Sequence, residues 1–255
     1  MGFLRDGEGA HWEEVVAETV GWEGNEANLP VEPGAAVAPL APGGALLHAG
    51  RTHRPQQVQM AQFVAAALAG PERVLVEAPT GTGKTFAYLV PAVAWAQSTG
   101  RPVVVASHSK VLQNQILDSA GFLGETLGPV RCALLKGREN YIDLLALDGA
   151  LDSIGEPDEA YALALLVAWV AGTPTGEWDD LRTYAIEKQI PSLARLKWRL
   201  RVDSMPGPAH TPLEKRCLYR RALRLAERAH VVVMNHALLV STHDWVGTTD
   251  WRVLD

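Results

Sequence analysis

Apolar positions along the chain follow two rhythms. Over residues 57–68, 86–97 and 111–120 they recur at helical spacing. Short β-branched or apolar runs lie between and after these stretches, at 73–77, 103–107, 130–135 and 230–235. Runs of that length bounded by Gly, Pro or polar residues predict buried strands. Strand and helix alternate, which predicts an α/β fold with a parallel sheet flanked by helices. The rhythm fails from 143 to 204, where helical stretches are separated by turns such as Gly172-Thr173-Pro174-Thr175-Gly176. We read that stretch as a helical insertion. Residues 29–44 are rich in Pro, Ala and Gly and follow an acidic, Trp-containing start, which predicts a linker or extended arm. The expected organisation is an extension over 1–45, the first part of an α/β domain over 46–142, the insertion over 143–204, and a return to the first domain over 205–255.

Composition adds few constraints. The 255 residues are 47% hydrophobic and 20% charged, enough for a sizeable core. A net charge of −6 does not announce a nucleic-acid binder, so local distribution must decide. Two cysteines, Cys132 and Cys217, exclude a disulfide framework and favour a reducing compartment. The start of the chain has no apolar core of a signal peptide. The longest apolar run, 160–171, is shorter than the roughly 20 residues a bilayer span needs. A cytoplasmic protein with no membrane partner is expected, and that run is expected to be a buried helix.

Chemistry enters at Ala78-Pro79-Thr80-Gly81-Thr82-Gly83-Lys84-Thr85, between a predicted strand and a predicted helix. Gly81 and Gly83 allow a tight curl that points N–H groups at phosphate oxygens. The following helix adds its positive end. Lys84 would reach the β- and γ-phosphates, and the Thr85 hydroxyl would sit on Mg²⁺. Thr80 and Thr82 complete the nucleotide-binding loop. Such a loop alone does not say what the nucleotide is for.

Surrounding motifs narrow the choice. Arg54-Pro55-Gln56-Gln57 precedes the loop. Ser107-His108-Ser109, Gln113-Asn114-Gln115, Leu135-Lys136-Gly137-Arg138-Glu139-Asn140-Tyr141 and Asn235-His236 follow it. In this order and spacing they resemble the DinG/XPD group of superfamily 2 DNA helicases, from about residue 50 to the end. The resemblance implies a RecA-like P-loop domain. It implies that Gln57, with Arg54, reads adenine through a paired donor and acceptor. It also implies that Ser107, His108, Gln113, Asn235 and His236 lie along single-stranded DNA, where hydroxyls and amides bind phosphate without reading sequence. For Asn235 and His236, structural capping is a close alternative.

Asp255 resembles the family's Mg²⁺-holding Asp, which a Glu and then Ala-His follow. That Glu would activate the attacking water, and an arginine finger would come from a second motor domain. Neither is among these residues. The chain is therefore expected to be the first motor domain of a longer protein and inactive in hydrolysis by itself.

Many members of the group hold an iron–sulfur cluster on four cysteines in the insertion. Here Asp143 stands at the first of those positions and Cys217 at the last. Two cysteines cannot supply four thiolates, so no cluster is expected. Cys217 is expected to be a small apolar helix residue.

Positive charge gathers between Arg195 and Arg228, with ten basic residues against three acidic ones. On a helix expected over 212–229, Leu213, Leu218, Ala222, Leu225 and Ala229 form an apolar stripe. Arg216, Arg220 and Arg224 recur on another face that suits single-stranded phosphates. Trp198 sits among these cations. Burial in the core is its favoured expectation, and stacking on a base is the alternative. The resulting expectation is an ATP- and Mg²⁺-dependent DNA helicase moving 5′→3′ by resemblance, serving DNA repair or a protein complex. The alternative is a non-enzymatic nucleotide- or DNA-binding adaptor.

Overall fold

The computed structural model describes residues 29–71, 73–204, 209–241 and 252–254. The described chain divides into two units. One, a sheet unit, contains residues up to Leu135 and from Leu225 onward; the other, a helical unit, runs from Lys136 to Arg224. The helical unit is thus wider than the 143–204 insertion expected from periodicity.

The sheet unit is built on four parallel strands: β1 (Val103–Ala106), β2 (Cys132–Leu134), β3 (Val231–Met234) and β4 (Arg252–Leu254), ordered β2-β3-β1-β4. Val103 registers with Val231 on one side and Arg252 on the other. All four residues of β1 and of β3 are buried, as befits central strands covered on both faces. The helices are α1 (Pro33–Val37), α2 (Ala45–His48), α3 (Pro55–Ala69), α4 (Lys84–Thr99) and α5 (Lys110–Leu127). Helix α3 buries Gln57, Ala61, Val64, Ala65 and Leu68, a stripe at helical spacing.

Two sequence expectations fail here. The run at 73–77 is not a strand: Leu75 is 99% exposed and Val74 is 45% exposed. A β-branched run becomes a strand only where a neighbour offers a ladder. No described strand of this sheet pairs with the run. The Pro-, Ala- and Gly-rich arm is not a loose linker. Its described part folds into α1, a 3₁₀ turn over Ala38–Leu40 and α2, burying Ala36, Val37, Leu40 and Leu46 in the main core. Proline at the first helical turn leaves no N–H wasted, so Pro33 starts a helix where composition suggested none.

The helical unit contains α6 (Leu144–Leu151), α7 (Pro157–Gly172), α8 (Tyr184–Glu187), α9 (Pro191–Arg199) and α10 (Pro212–Lys215). Helix α11 (Leu218–Glu227) carries the chain out of it. Its core gathers Ile142, Leu147, Leu163, Leu166, Leu193, Leu196 and Leu200. Only one face of α7 is buried, through Ala162, Leu163 and Leu166. The run at 160–171 is therefore a one-sided core helix. No described helix is long and apolar enough to cross a membrane.

The continuous helix expected over 212–229 is broken at Arg216 and Cys217. Thr211 and Glu214 form a reciprocal cap that gives α10 its own start. Its carboxylate is held below the usual range by the N–H groups of Thr211 and His210. The apolar stripe is cut accordingly. Leu213 and Leu218 are buried, while Leu225 is half-exposed. Cys217 lies between the two helices, half-buried, with its thiol free. Trp198 is not a core residue: it is 72% exposed.

Candidate functional site

The phosphate loop is shaped by two left-handed glycines, Gly81 at φ 84° and Gly83 at φ 81°. Side chains rarely adopt that conformation, so glycine is required at both positions. At Gly83 a Cβ would also displace the Gln57 amide that braces the loop. Gln57, buried on the first turn of α3, donates from Nε2 to the Gly83 carbonyl at 2.7 Å. Arg54 donates to the Gly81 carbonyl at 2.5 Å. The two residues expected to read adenine thus also brace the loop backbone. Within the loop, Thr82 Oγ1 donates to the Pro79 carbonyl at 2.9 Å, and Lys84 Nζ donates to the Ala78 carbonyl at 2.9 Å.

Helix α4 starts at Lys84 with Gly83 as its N-cap, no side-chain cap and no acid in its first turn. The first N–H groups of a 16-residue helix therefore lack intrahelical acceptors at the helix's positive end. These donors, the lysine and the close backbone approach fit a nucleotide's phosphates. Burial raises the pKa of the Tyr88 hydroxyl, one turn after Thr85, and the Thr85 side chain opposes the shift. Asp255, the expected Mg²⁺ companion of Thr85, lies outside the described residues.

The C-terminal ends of β1 and β3 carry a second group. Ser107 continues the ladder, its N–H donating to the Met234 carbonyl at 3.0 Å. The rings of His108 and His236 stack with centroids 6.3 Å apart. Gln113 is buried and donates to the Ser107 carbonyl at 3.3 Å, so its amide supports the strand end. Asn235 Oδ1 accepts from the Leu238 N–H at 2.6 Å, capping helix α12 (His236–Ser241). Ser109, not singled out from sequence, caps α5 in the same way through Leu112. Its signal was legible as a Ser just before an apolar-periodic run. The structure brings Ser107, His108, Asn235 and His236 together at the C-terminal ends of the two central strands.

The helical unit contains Asp143, which the resemblance sets at the first expected cluster-ligand position. Here it caps α6, accepting from Leu145 and Ala146 at 2.9 and 3.2 Å. Nearby, Lys136 Nζ is held by Glu177 and, at 3.0 Å, by Asp179. Burial works against its charge, but the two carboxylates hold its pKa above the ordinary lysine value. Tyr141 packs against Tyr219 at 5.2 Å, and burial beside Glu177 raises its hydroxyl pKa. Lys136 was visible in a motif, but Glu177 is 41 residues away and nothing local paired them.

Arg216 ends α10 while Arg220 and Arg224 lie a turn apart on α11, so the three cations are not on one helix. Arg216 is exposed; the other two are half-buried. Among the described residues, no group of three or more His, Cys, Asp or Glu side chains is arranged to hold a metal.

Comparison with known proteins defines the class first. The DEAD/DEAH box helicase family matches residues 56–165, which contain the phosphate loop, β1, β2 and the start of the helical unit. Over 199 residues the chain is 34% identical to 3′-5′ exonuclease DinG of Bacillus subtilis, covering 75% of this chain and 20% of that protein. It is 34% identical over 214 residues to ATP-dependent helicase DinG of Mycobacterium tuberculosis, covering 74% of this chain and 31% of that one. It is 31% identical over 196 residues to ATP-dependent DNA helicase YoaA of Haemophilus influenzae, covering 72% and 28%. The chain thus spans between a fifth and a third of the length of these relatives. With the parallel sheet and phosphate loop, these matches place it among the superfamily 2 helicases, in the DinG type.

Proposed function

We propose that this chain is the ATP-binding motor domain of a DinG-type helicase that couples ATP hydrolysis to movement along single-stranded DNA, 5′→3′. The observation that carries the reading is the loop itself. Left-handed Gly81 and Gly83, braced by Arg54 and Gln57, precede an uncapped helix that begins with Lys84. Lys84 and the loop N–H groups would hold the phosphates, Gln57 and Arg54 the base, and Thr85 the Mg²⁺ together with Asp255. Bound ATP supplies the phosphoryl group whose transfer to water drives movement. Ser107, His108, Asn235 and His236 would line the strand, with Gln113 supporting Ser107 from beneath. Arg216, Arg220 and Arg224 would add phosphate contacts.

The aligned part of this chain covers 20% and 31% of these relatives, and we propose that hydrolysis needs groups contributed by a further motor domain. The test is nucleotide binding and ATP turnover, with and without single-stranded DNA, beside Lys84→Ala. Binding that depends on Lys84, with little turnover, supports a half-motor. DNA-stimulated turnover that vanishes in the variant would mean that the centre is completed by self-association. An absence of nucleotide binding in the unaltered chain would overturn the reading.

A further inference from the structure

We propose that Trp198, backed by Arg201, is a base-stacking platform for single-stranded DNA on the helical unit. The proposal rests on the reading that this chain works on single strands, and it adds a contact which that reading does not contain. Helix α9 turns Leu193 and Leu196 into the core, so Ala194, Arg195 and Trp198 fall on the opposite face. A tryptophan is among the residues a fold most readily hides. The same unit does hide one: Trp178 is 8% exposed and stacks on Trp169 at 5.5 Å. Trp198 nevertheless stands 72% exposed.

Its surroundings name the partner. The Arg201 guanidinium lies 4.5 Å from the Trp198 ring centroid, covering one face and leaving the other to solvent. Two neighbouring cations are already committed to acids, Lys197 to Glu187 at 2.9 Å and Arg199 to Glu159 at 2.7 Å. The Arg201 side chain makes no hydrogen bond or ion pair among the described residues; its Nε is buried, so its terminal nitrogens are the donors left for a phosphate. Arg195 is exposed one turn before Trp198. A second pair repeats the arrangement on α8, where Tyr184 is 78% exposed with Lys188 at 5.0 Å. An apolar peptide partner would want an apolar rim; here the rim is cationic. A flat ring beside the Arg201 cation matches a base and its phosphate, without preference for sequence.

The test is fluorescence anisotropy of a labelled thymidine oligonucleotide titrated with the whole chain. Trp198→Ala should weaken binding about tenfold, a typical loss for one stacked base, and Trp198→Phe should keep most of it. On an abasic oligonucleotide of the same length the unaltered chain and Trp198→Ala should bind alike. Binding of a fluorescent ATP analogue should be unchanged in both variants. Should Trp198→Ala fail to fold, Arg201→Gln carries the test: a several-fold loss, with the salt slope reduced by about 0.7. Thymidine binding unchanged by these substitutions, or an equal loss on the abasic strand, overturns the platform alone and leaves the ring to a protein partner. If the unaltered chain binds no single strand, the platform and the broader DNA reading fall together.

Discussion

The phosphate loop and the helical unit solve the same problem, holding chemistry-bearing groups in place, in opposite ways. The loop's function rests on its main-chain shape. Its shape depends on two left-handed glycines and on side chains that bind carbonyls, Arg54 to Gly81 and Gln57 to Gly83. The helical unit is held by side chains, through an apolar core, the Lys136 cluster and the Asp143 cap. Main-chain construction tolerates almost no substitution, because φ and close approach are fixed residue by residue. Side-chain construction tolerates exchange wherever another group can satisfy the same neighbours. Asp143 illustrates this: its carboxylate satisfies two helix N–H groups, a task other short polar side chains also perform.

Four measurements distinguish the two kinds of construction. The largest effect is expected from Lys84→Ala, which should weaken nucleotide binding by roughly 100-fold, as for loss of a charge-assisted phosphate contact. The melting of the helical unit should stay unchanged, read by hydrogen exchange over residues 136–224. Next, Glu177→Gln should destabilise the helical unit by about 2 kcal/mol, because it leaves half-buried Lys136 with Asp179 alone. Nucleotide affinity should not move; a matching loss there would erase the distinction between main-chain and side-chain construction.

The third measurement concerns His230, packed under Arg131 in the sheet unit. Its ring accepts from the Arg131 N–H at 3.1 Å, and burial, with the Arg131 charge, lowers its pKa to about 4. The unfolded histidine, at about 6.5, takes up a proton first as pH falls. The stabilisation is therefore complete above about 6.5 and is lost between about 6.5 and 4. Denaturant melts at pH 7 and 4.5 should differ by about 1 to 3 kcal/mol more in the unaltered chain than in His230→Asn. Equal differences would dismiss His230 as a source of the pH dependence. The smallest effect belongs to Asp143→Ala, a cap loss worth about 1 kcal/mol in the helical unit. A much larger loss would mean that the position carries more than a cap.

Much of the site was legible because its determinants are local. The glycine spacing, Lys84 and Thr85 sit within one turn of chain, between elements whose hydrophobic periods are distinct. The same holds for β1 and β3, whose apolar runs read as buried strands and are buried. Asn235 was legible as either cap or contact, and the structure shows the cap. The bracing of Gly83 by Gln57 was not legible, since the residues are 26 apart and the amide was assigned to the base alone.

Residue type and short spacing were enough to fix the alternation of strand and helix, the glycine-rich turn before Lys84 and the local excess of positive charge. Only the tertiary structure decided three other features. The run at 73–77 stays outside the sheet, since strand formation needs a partner as well as propensity. The proline-rich arm joins the core, since burial depends on what lies beside it. Trp198 faces solvent under Arg201, since helical phase relative to a core is set by Leu193 and Leu196 and not by the tryptophan's own hydrophobicity.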